Sequence, residues 1–448
     1  MAPAYTNKAA GADVSRHAFG VNLTSQGRGY YVTLELLAIA WGTARSSSTV
    51  LPTFTAGDEQ LTYVRRSHDF ARRLMADDHF ELADQAFLRG DDTKRVLGEL
   101  LSSLRVPIPN RRSLPAWGLQ HLYPYVGELI HYDAVQRHSR VSVERYTYRG
   151  GGGLVHKILR TDHDVERLSQ NRAGLARLVA DAGGPLGQLA LACASHDRED
   201  LSEFKDEIEP ATTAHESVWV EHLRTGTRNI TSRPETTRSK QVEMLMHWLP
   251  YCLARYQLDI AAQICGVPAP LLPIAQLQRP SPIRRLARQE LDRSRSLIDR
   301  ALMVRSVQLA ENTTDDRRRE VLFGLSQNRS WKEPTMSFYT QTLATCGALN
   351  AHTGSRYLTT KLPLLEAIVC AALRPGESQE FEAFCYDNLF AKFGLVFDKR
   401  SAGEAGLIEA VDAGDFGDNA AQLAFDLNGL GLLSEFSDAT RMTHGEVR

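Results

Sequence analysis

Nowhere in the chain do about eighteen apolar residues follow one another, so no segment has the length of a membrane-crossing helix. Residues 1–13 lack the basic start and apolar stretch of a secretion signal, and a cytoplasmic protein is the expectation. No C-x-x-C pair occurs: Cys193, Cys252, Cys265, Cys346, Cys370 and Cys385 are scattered, most of them among apolar neighbours. That spacing argues against a zinc site or a disulfide framework and for buried free thiols in a reducing compartment. Charge is balanced, with 52 Lys and Arg against 54 Asp and Glu. A repeat of fixed period, a nucleophile elbow and a kinase signature are absent, and no convincing nuclease pattern of Asp followed by Glu-x-Lys is found.

The composition that remains is that of an ordinary globular protein, 43% apolar and 24% charged over 448 residues. Single cores rarely grow past roughly 250–300 residues, so two to four domains are expected. Composition shifts divide the chain into an N-terminal helical domain (1–118), a middle region with a short strand and a Gly-rich turn (119–223), a basic helical domain (224–350) and a C-terminal module (351–448). The expected fold is mainly α and multi-helical. Its C-terminal module reads as a winged-helix-like α/β unit, helices closed by short apolar strands.

Helical spacing of apolar residues predicts a buried helix over 30–43 and consecutive helices over 62–104. Val141, Val143, Arg145 and Thr147 alternate as a strand does, and four glycines, 150–153, follow as a hairpin or hinge. Helices are predicted over 154–179 and 212–223, with a Thr- and Arg-rich loop over 224–238. Residues 242–264 form the most apolar helical region, interrupted by Pro250. Five prolines in 266–282 exclude a continuous helix there. Ser281 and Pro282 then open a long helix over 283–310 as N-cap and first helical residue. Further helices are predicted over 337–349, 364–373, 378–393, 407–411 and 420–430. Gly394 should cap the third of these ahead of a strand at 395–397.

The charge is unevenly distributed. Residues 224–305 carry fourteen basic side chains against six acids, a net +8 within a chain of −2. In the long helix, Arg288 with Asp292 and Arg295 with Asp299 are spaced to pair along the helix face. Arg284 and Arg285 have no acid four residues on and sit where the helix dipole disfavours cations. The candidate anion- or nucleic-acid-binding residues are therefore Arg284, Arg285 and Arg288, with Arg238 and Lys240 in support. The C-terminal module is instead acidic, which favours protein contact.

Metal chemistry has one candidate. His156, Asp162, His163 and Asp164 hold donors for a divalent ion, although Thr161 or Asp162 also suits a helix N-cap. The glycine run lacks the Lys-Ser/Thr of a Walker loop and the spacing of a dinucleotide fingerprint. His215-Glu216 has Trp219 where a zinc protease needs its second histidine, so His215 and His222 read as structural. No cofactor is implied.

One resemblance adds to this. The tail, from Tyr357-Leu358-Thr359-Thr360 through Phe390-Ala391-Lys392-Phe393-Gly394-Leu395-Val396 to Leu430-Gly431-Leu432-Leu433-Ser434-Glu435-Phe436-Ser437-Asp438-Ala439, resembles the C-terminal part of helical subunits of multi-gene bacterial antiphage systems. These include modification-linked restriction systems of the phosphorothioation-dependent and methylation-associated kinds. The resemblance covers about the last fifth of the chain and brings across no catalytic residue. It implies an accessory component working with an ATPase or nuclease subunit, possible DNA contact and no membrane. The leading expectation is thus a non-enzymatic subunit of a cytoplasmic antiphage defence or DNA-processing complex. The alternatives are a metal-dependent hydrolase acting on nucleic acid and a stand-alone winged-helix DNA-binding regulator.

Overall fold

In the computed structural model the described residues are 5–23, 32–33, 35–37, 40, 62–66, 134–137, 140–143, 151–178, 203–207 and 213–446, apart from 278, 352–353 and 438–439. They are mainly helical. The first helix, α1 (Asn7–Phe19), is capped by Thr6, whose side chain accepts from the Ala9 N–H. Strands β1 (Thr62–Arg66), β2 (Ala134–Arg137) and β3 (Arg140–Val143) precede α2 (Gly151–Arg160) and α3 (Val165–Leu178). Then come β4 (Glu203–Glu207), α4 (Val218–Thr231), α5 (Arg238–Ile264), β5 (Leu272–Pro273) and α6 (Pro282–Glu311). The C-terminal half adds α7 (Asp316–Gln327), α8 (Glu333–Cys346), α9 (Leu362–Ala372), β6 (Ser378–Glu380) and a helix over 381–392, α10, π-wound from Phe384. It ends with β7 (Leu395–Val396), α11 (Lys399–Glu404), α12 (Ala413–Gly429), β8 (Leu433–Glu435) and β9 (Arg441–His444).

The centre of the molecule is α5. Every residue from Met244 to Ala262 is buried, and a helix apolar on all sides must be enclosed by others. Helices α1, α2, α3, α4, α6, α8 and α9 all pack against it. Buried side chains from α1 to β8 form one connected core. Pro250 does not interrupt α5 as predicted: the proline removes one backbone bond, and enclosure on every face outweighs that loss. The predicted loop at 224–238 is likewise corrected, because α4 continues to Thr231. Its polar residues are satisfied within the helix or across it. The Thr227 hydroxyl donates to the Leu223 carbonyl at 2.7 Å and Thr231 to Thr227 at 2.9 Å.

Two further corrections concern the N-terminal half. Thr62–Arg66 is not helical but a strand, antiparallel to Glu203–Glu207 with Thr62 opposite Glu207. The β-forming Thr-Tyr-Val triplet precedes the first helically spaced aromatic, Phe70. The remainder of 67–104 lies outside the described residues. Of the strand predicted through Val141, Val143, Arg145 and Thr147, Arg140–Val143 is present, in a hairpin with Ala134–Arg137, and the remainder lies outside the described residues. Gly151–Gly153 of the glycine run form neither hairpin nor hinge. Gly151, Gly152 and Gly153 are the buried first turn of α2. A Cβ on Gly152 would lie 2.6 Å from both the Val32 carbonyl oxygen and the Leu36 nitrogen. Its N–H donates at 3.0 Å to Glu35 Oε2, so the helix N-terminus meets an anion of the chain itself. Gly152→Ala should therefore cost about 1–3 kcal/mol by overpacking against backbone that has no rotamer to escape into, read as a lowered urea midpoint with an unchanged m-value.

At the C-terminal end β6, β9 and β8 form an antiparallel sheet in that order, fed by α9 and closed over α10 and α12. The predicted helix at 407–411 is a turn. The short helix lies earlier, at Lys399–Glu404, where Asp398 and Ser401 make a capping box. Gly394 takes a left-handed φ of 66° and ends α10, as its sequence context predicts. Strand β7 pairs in parallel with β5, Leu395 beside Leu272, and joins this end to the proline-rich segment before α6. Asn419 fastens the joint: its side chain donates to the Ile274 and Phe397 carbonyls, both at 2.9 Å, and accepts from the Gln276 N–H.

Candidate anion-binding surface

Most of the basic charge in 224–305 is used inside the protein. Arg224 is buried at the end of α2, donating to the carbonyls of Ile158 and Thr161 at 3.0 Å each and pairing with Glu221 at 2.6 Å. Arg233 does the same for α9, reaching the carbonyls of Cys370 (2.7 Å), Leu373 (2.8 Å) and Gly445. Arg255 reaches the Phe393 carbonyl at the end of α10 at 3.2 Å and lies over the Trp219 ring. All three meet carbonyls at helix C-termini, where unpaired oxygens and the dipole favour a cation. Arg279 pairs with Asp418, and Arg293 with Glu290 at 3.5 Å.

The five sequence-predicted residues divide accordingly. Lys240 pairs with the buried Glu366 at 2.7 Å and with Glu243 at 3.2 Å. Burial alone pulls its ammonium down, but the Glu366 hydrogen bond and both carboxylate charges leave it above its ordinary value. Arg284 turns inward, donating to the Leu277 carbonyl at 2.8 Å and lying over the Tyr357 ring. Arg238, Arg285 and Arg288 are exposed and make no hydrogen bond or ion pair among the described residues. Arg285 and Arg288 share the solvent face of α6, while Arg238 opens α5.

The expected pairing along α6 is corrected. Neither Arg288 with Asp292 nor Arg295 with Asp299 is an ion pair among the described residues. Asp299 instead meets Lys332 at 2.8 Å. Lys332 is buried just ahead of α8, and a buried ammonium needs a carboxylate more than an exposed guanidinium does. Arg295, half-buried, thereby extends the row begun by Arg285 and Arg288, while Arg300, exposed, stands with Arg293 on the flank of α6 facing Val267 and Pro268. From 285 to 295 the row runs about 15 Å along the helix. Asp292 is the exposed acid within it.

The candidate metal ligands do not converge. His156 is a buried residue of α2, and burial, then Arg160 and Lys157, push it down to about 3. Asp162 accepts from Arg167 Nη2 at 2.7 Å and from the Asp164 N–H at 3.1 Å. Its burial raises the carboxyl, but Arg167, the Asp164 N–H and Arg224 together hold it below the usual range. Asp164 is the N-cap of α3, accepting from the Arg167 N–H at 3.0 Å. His163 is exposed. Among the described residues no group of three or more His, Cys, Asp or Glu is arranged to hold a metal ion.

Sequence reasoning missed a polar centre at the junction of α5, α6 and α8. Arg255 is 4% exposed, and its Nε and Nη1 have no hydrogen-bond partner. The Tyr251 hydroxyl is buried nearby without a hydrogen-bond partner, and the Tyr339 hydroxyl is buried beside that of Ser294. Such groups cost about 1–3 kcal/mol each when nothing satisfies them. Burial raises the Tyr251 and Tyr339 hydroxyls, and the Arg255 charge lowers both. Glu290 lies in the same field: burial raises it, while Arg293 and Arg255 pull it back. The available signals were an arginine in the most apolar helix and the four-residue spacings Tyr251–Arg255 and Glu290–Ser294. Glu290 also lines an open groove of about 580 Å³ between α6 and the loop after α5.

No family model, no curated protein and no solved structure matches the chain. Among the described residues no helix is long and apolar enough to cross a membrane.

Proposed function

We propose that the chain is a non-enzymatic accessory subunit of a cytoplasmic bacterial antiphage defence or DNA-processing complex, touching nucleic acid through the solvent face of α6. One observation carries the reading: Arg285 and Arg288 stand exposed and unpaired on that face, with the half-buried Arg295 beside them. Arg224, Arg233 and Lys240 in the same basic stretch are engaged within the protein, so neighbouring cations left without partners suit an external line of negative charge. Phosphate backbone presents such a line, and arginine forks match its oxygens.

The C-terminal end is proposed as a winged-helix-like module that docks protein, in keeping with an ATPase or nuclease partner. The small sheet β6–β9–β8 and the helices around it support that comparison. So do its acidic surface and the exposed Phe425 and Phe436, which are poor ligands for phosphate and good ones for a protein surface. Arg285→Glu with Arg288→Glu should weaken binding to a DNA duplex by at least about 10-fold at low salt, measured by gel shift, without changing the thermal midpoint. Unchanged binding in the double variant would remove the nucleic-acid reading.

A further inference from the structure

We propose that the outward face of α12 docks into the groove between α6 and residues 267–270 of a second copy of the chain. This rests on the reading of the C-terminal end as a module that docks protein, and it names the occupant. On α12, Gly414, Gly417, Ala421, Phe425 and Asn428 are exposed and recur at three- and four-residue spacings, so they form one stripe about 21 Å long. Phe425 is 74% exposed and is the one large side chain of that stripe. The small residues keep the stripe low, so another element can approach close to the helix axis, and the ring projects from it as a single anchor. The surroundings are of one sign: residues 401–440 contain eight acids and no Lys or Arg.

The groove complements that face. It follows α6 from Gln289 to Arg300, about 16 Å, and its volume of about 580 Å³ has room for an aromatic side chain. Val267, Pro268 and Leu297 give it an apolar side, and Arg293 and Arg300 belong to its polar lining. Helix α6 as a whole carries seven arginines against four acids, opposite in sign to the module around α12. Two of those acids, Glu290 and Asp292, line the groove and oppose the approach. Glu290 is paired with Arg293 at 3.5 Å, and Asp292 is exposed, where its charge is screened. An aromatic ring among carboxylates thus meets an apolar wall among guanidiniums. The Arg300 guanidinium is free to lie over the incoming ring, as Arg400 lies over Tyr386 within the module. Both surfaces belong to one chain, so two copies can exchange them reciprocally and close as a pair. One helix face in one groove is a small interface, and association in the micromolar range is expected.

Sedimentation velocity of the full chain from about 1 to 100 μM tests this. The parent chain is expected to shift from monomer to dimer across that range. Phe425→Asp on α12, and Val267→Asp with Arg300→Glu in the groove, should each weaken association at least about 10-fold. All three positions are exposed, so the fold should survive. Mixing the two variants should restore association, weaker than in the parent chain, because the intact groove of one meets the intact α12 of the other. Misfolding of either variant would not give that result. Phe425→Asp should leave duplex DNA binding unchanged, which separates this contact from the nucleic-acid face. A parent chain that stays monomeric at about 100 μM overturns the proposal and leaves the docking reading standing with another protein as occupant. A mixture as monomeric as its components also overturns it. Association undiminished in Phe425→Asp overturns both, because the chain would then dock protein through some other surface.

Discussion

Acidification from pH 7 to pH 5 is expected to cost the fold about 4 kcal/mol, through two histidines held neutral in the interior. Burial, then the charges of Arg160 and Lys157, push His156 down to about 3. Burial and the charge of Lys392 push His222 down to about 4, although its ring is bonded to the Lys392 carbonyl. An unfolded histidine binds its proton near pH 6.5, so below that value the unfolded chain takes up protons that the native chain refuses. The stability is complete above pH 6.5 and falls as the pH drops, down to about 4 for His222 and about 3 for His156. At pH 5 each histidine contributes a loss of about 2 kcal/mol, at about 1.4 kcal/mol per pH unit. Burial also lowers His215 and His247, which adds to the same trend. Glu290, raised by burial, acts in the opposite direction, because its protonation favours the native state. Asp162, held low by Arg167, loses its contribution only as the pH falls through and below the usual carboxylate range. Urea unfolding at pH 7, 6 and 5 measures the slope, and His222→Gln should reduce it by about 1.2 kcal/mol per unit between pH 6 and pH 5. A stability independent of pH over this range would show that these rings are not buried as described.

The second large effect is expected at Arg233. Its guanidinium serves three carbonyls at once, two at the end of α9 and one at Gly445 beyond β9. Arg233→Met removes every donor while keeping the apolar stem, so three buried oxygens lose a partner at about 1–3 kcal/mol each if water does not reach them. A loss of about 3–5 kcal/mol follows, seen as a lowered denaturant midpoint. Hydrogen exchange should show the first opening at β9, where Gly445 is released. Arg233→Lys should fall between the two, since an ammonium keeps the charge but cannot span three acceptors with the arginine fork. A loss below about 1 kcal/mol for Arg233→Met would mean the carbonyls are served in some other way.

This arginine also shows where the sequence stopped being informative. The asymmetry of charge over 224–305 was visible in composition, and so was the opening of α6 at Ser281 and Pro282, because both are local. What Arg233, Arg224 and Arg255 do depends on carbonyls 137, 66 and 138 residues away, and no local pattern names such a partner. The same holds for Lys332, which takes Asp299 from Arg295 across two helices. Propensity misread α4 and Pro250 for a related reason: enclosure by α5 and its neighbours outweighed local preference. Gly152 was legible as an unusual residue but not as a contact, because Glu35 and Val32 lie more than a hundred residues earlier. Of the five residues singled out in advance, Arg238, Arg285 and Arg288 remain at the surface, and Lys240 and Arg284 belong to the framework.

The assignment of the α6 face to nucleic acid is tested most directly by the salt dependence of duplex DNA binding, with the parent chain and the Arg285→Glu, Arg288→Glu variant measured side by side. Each neutralised phosphate contributes about −0.9 to the slope of log K against log salt. Engagement by Arg285, Arg288 and the half-buried Arg295 gives the parent chain a slope of about −2 to −3, and loss of two contacts brings the variant to about −1. A parent chain that does not bind at low salt, or a slope that is the same in both proteins, would contradict the assignment.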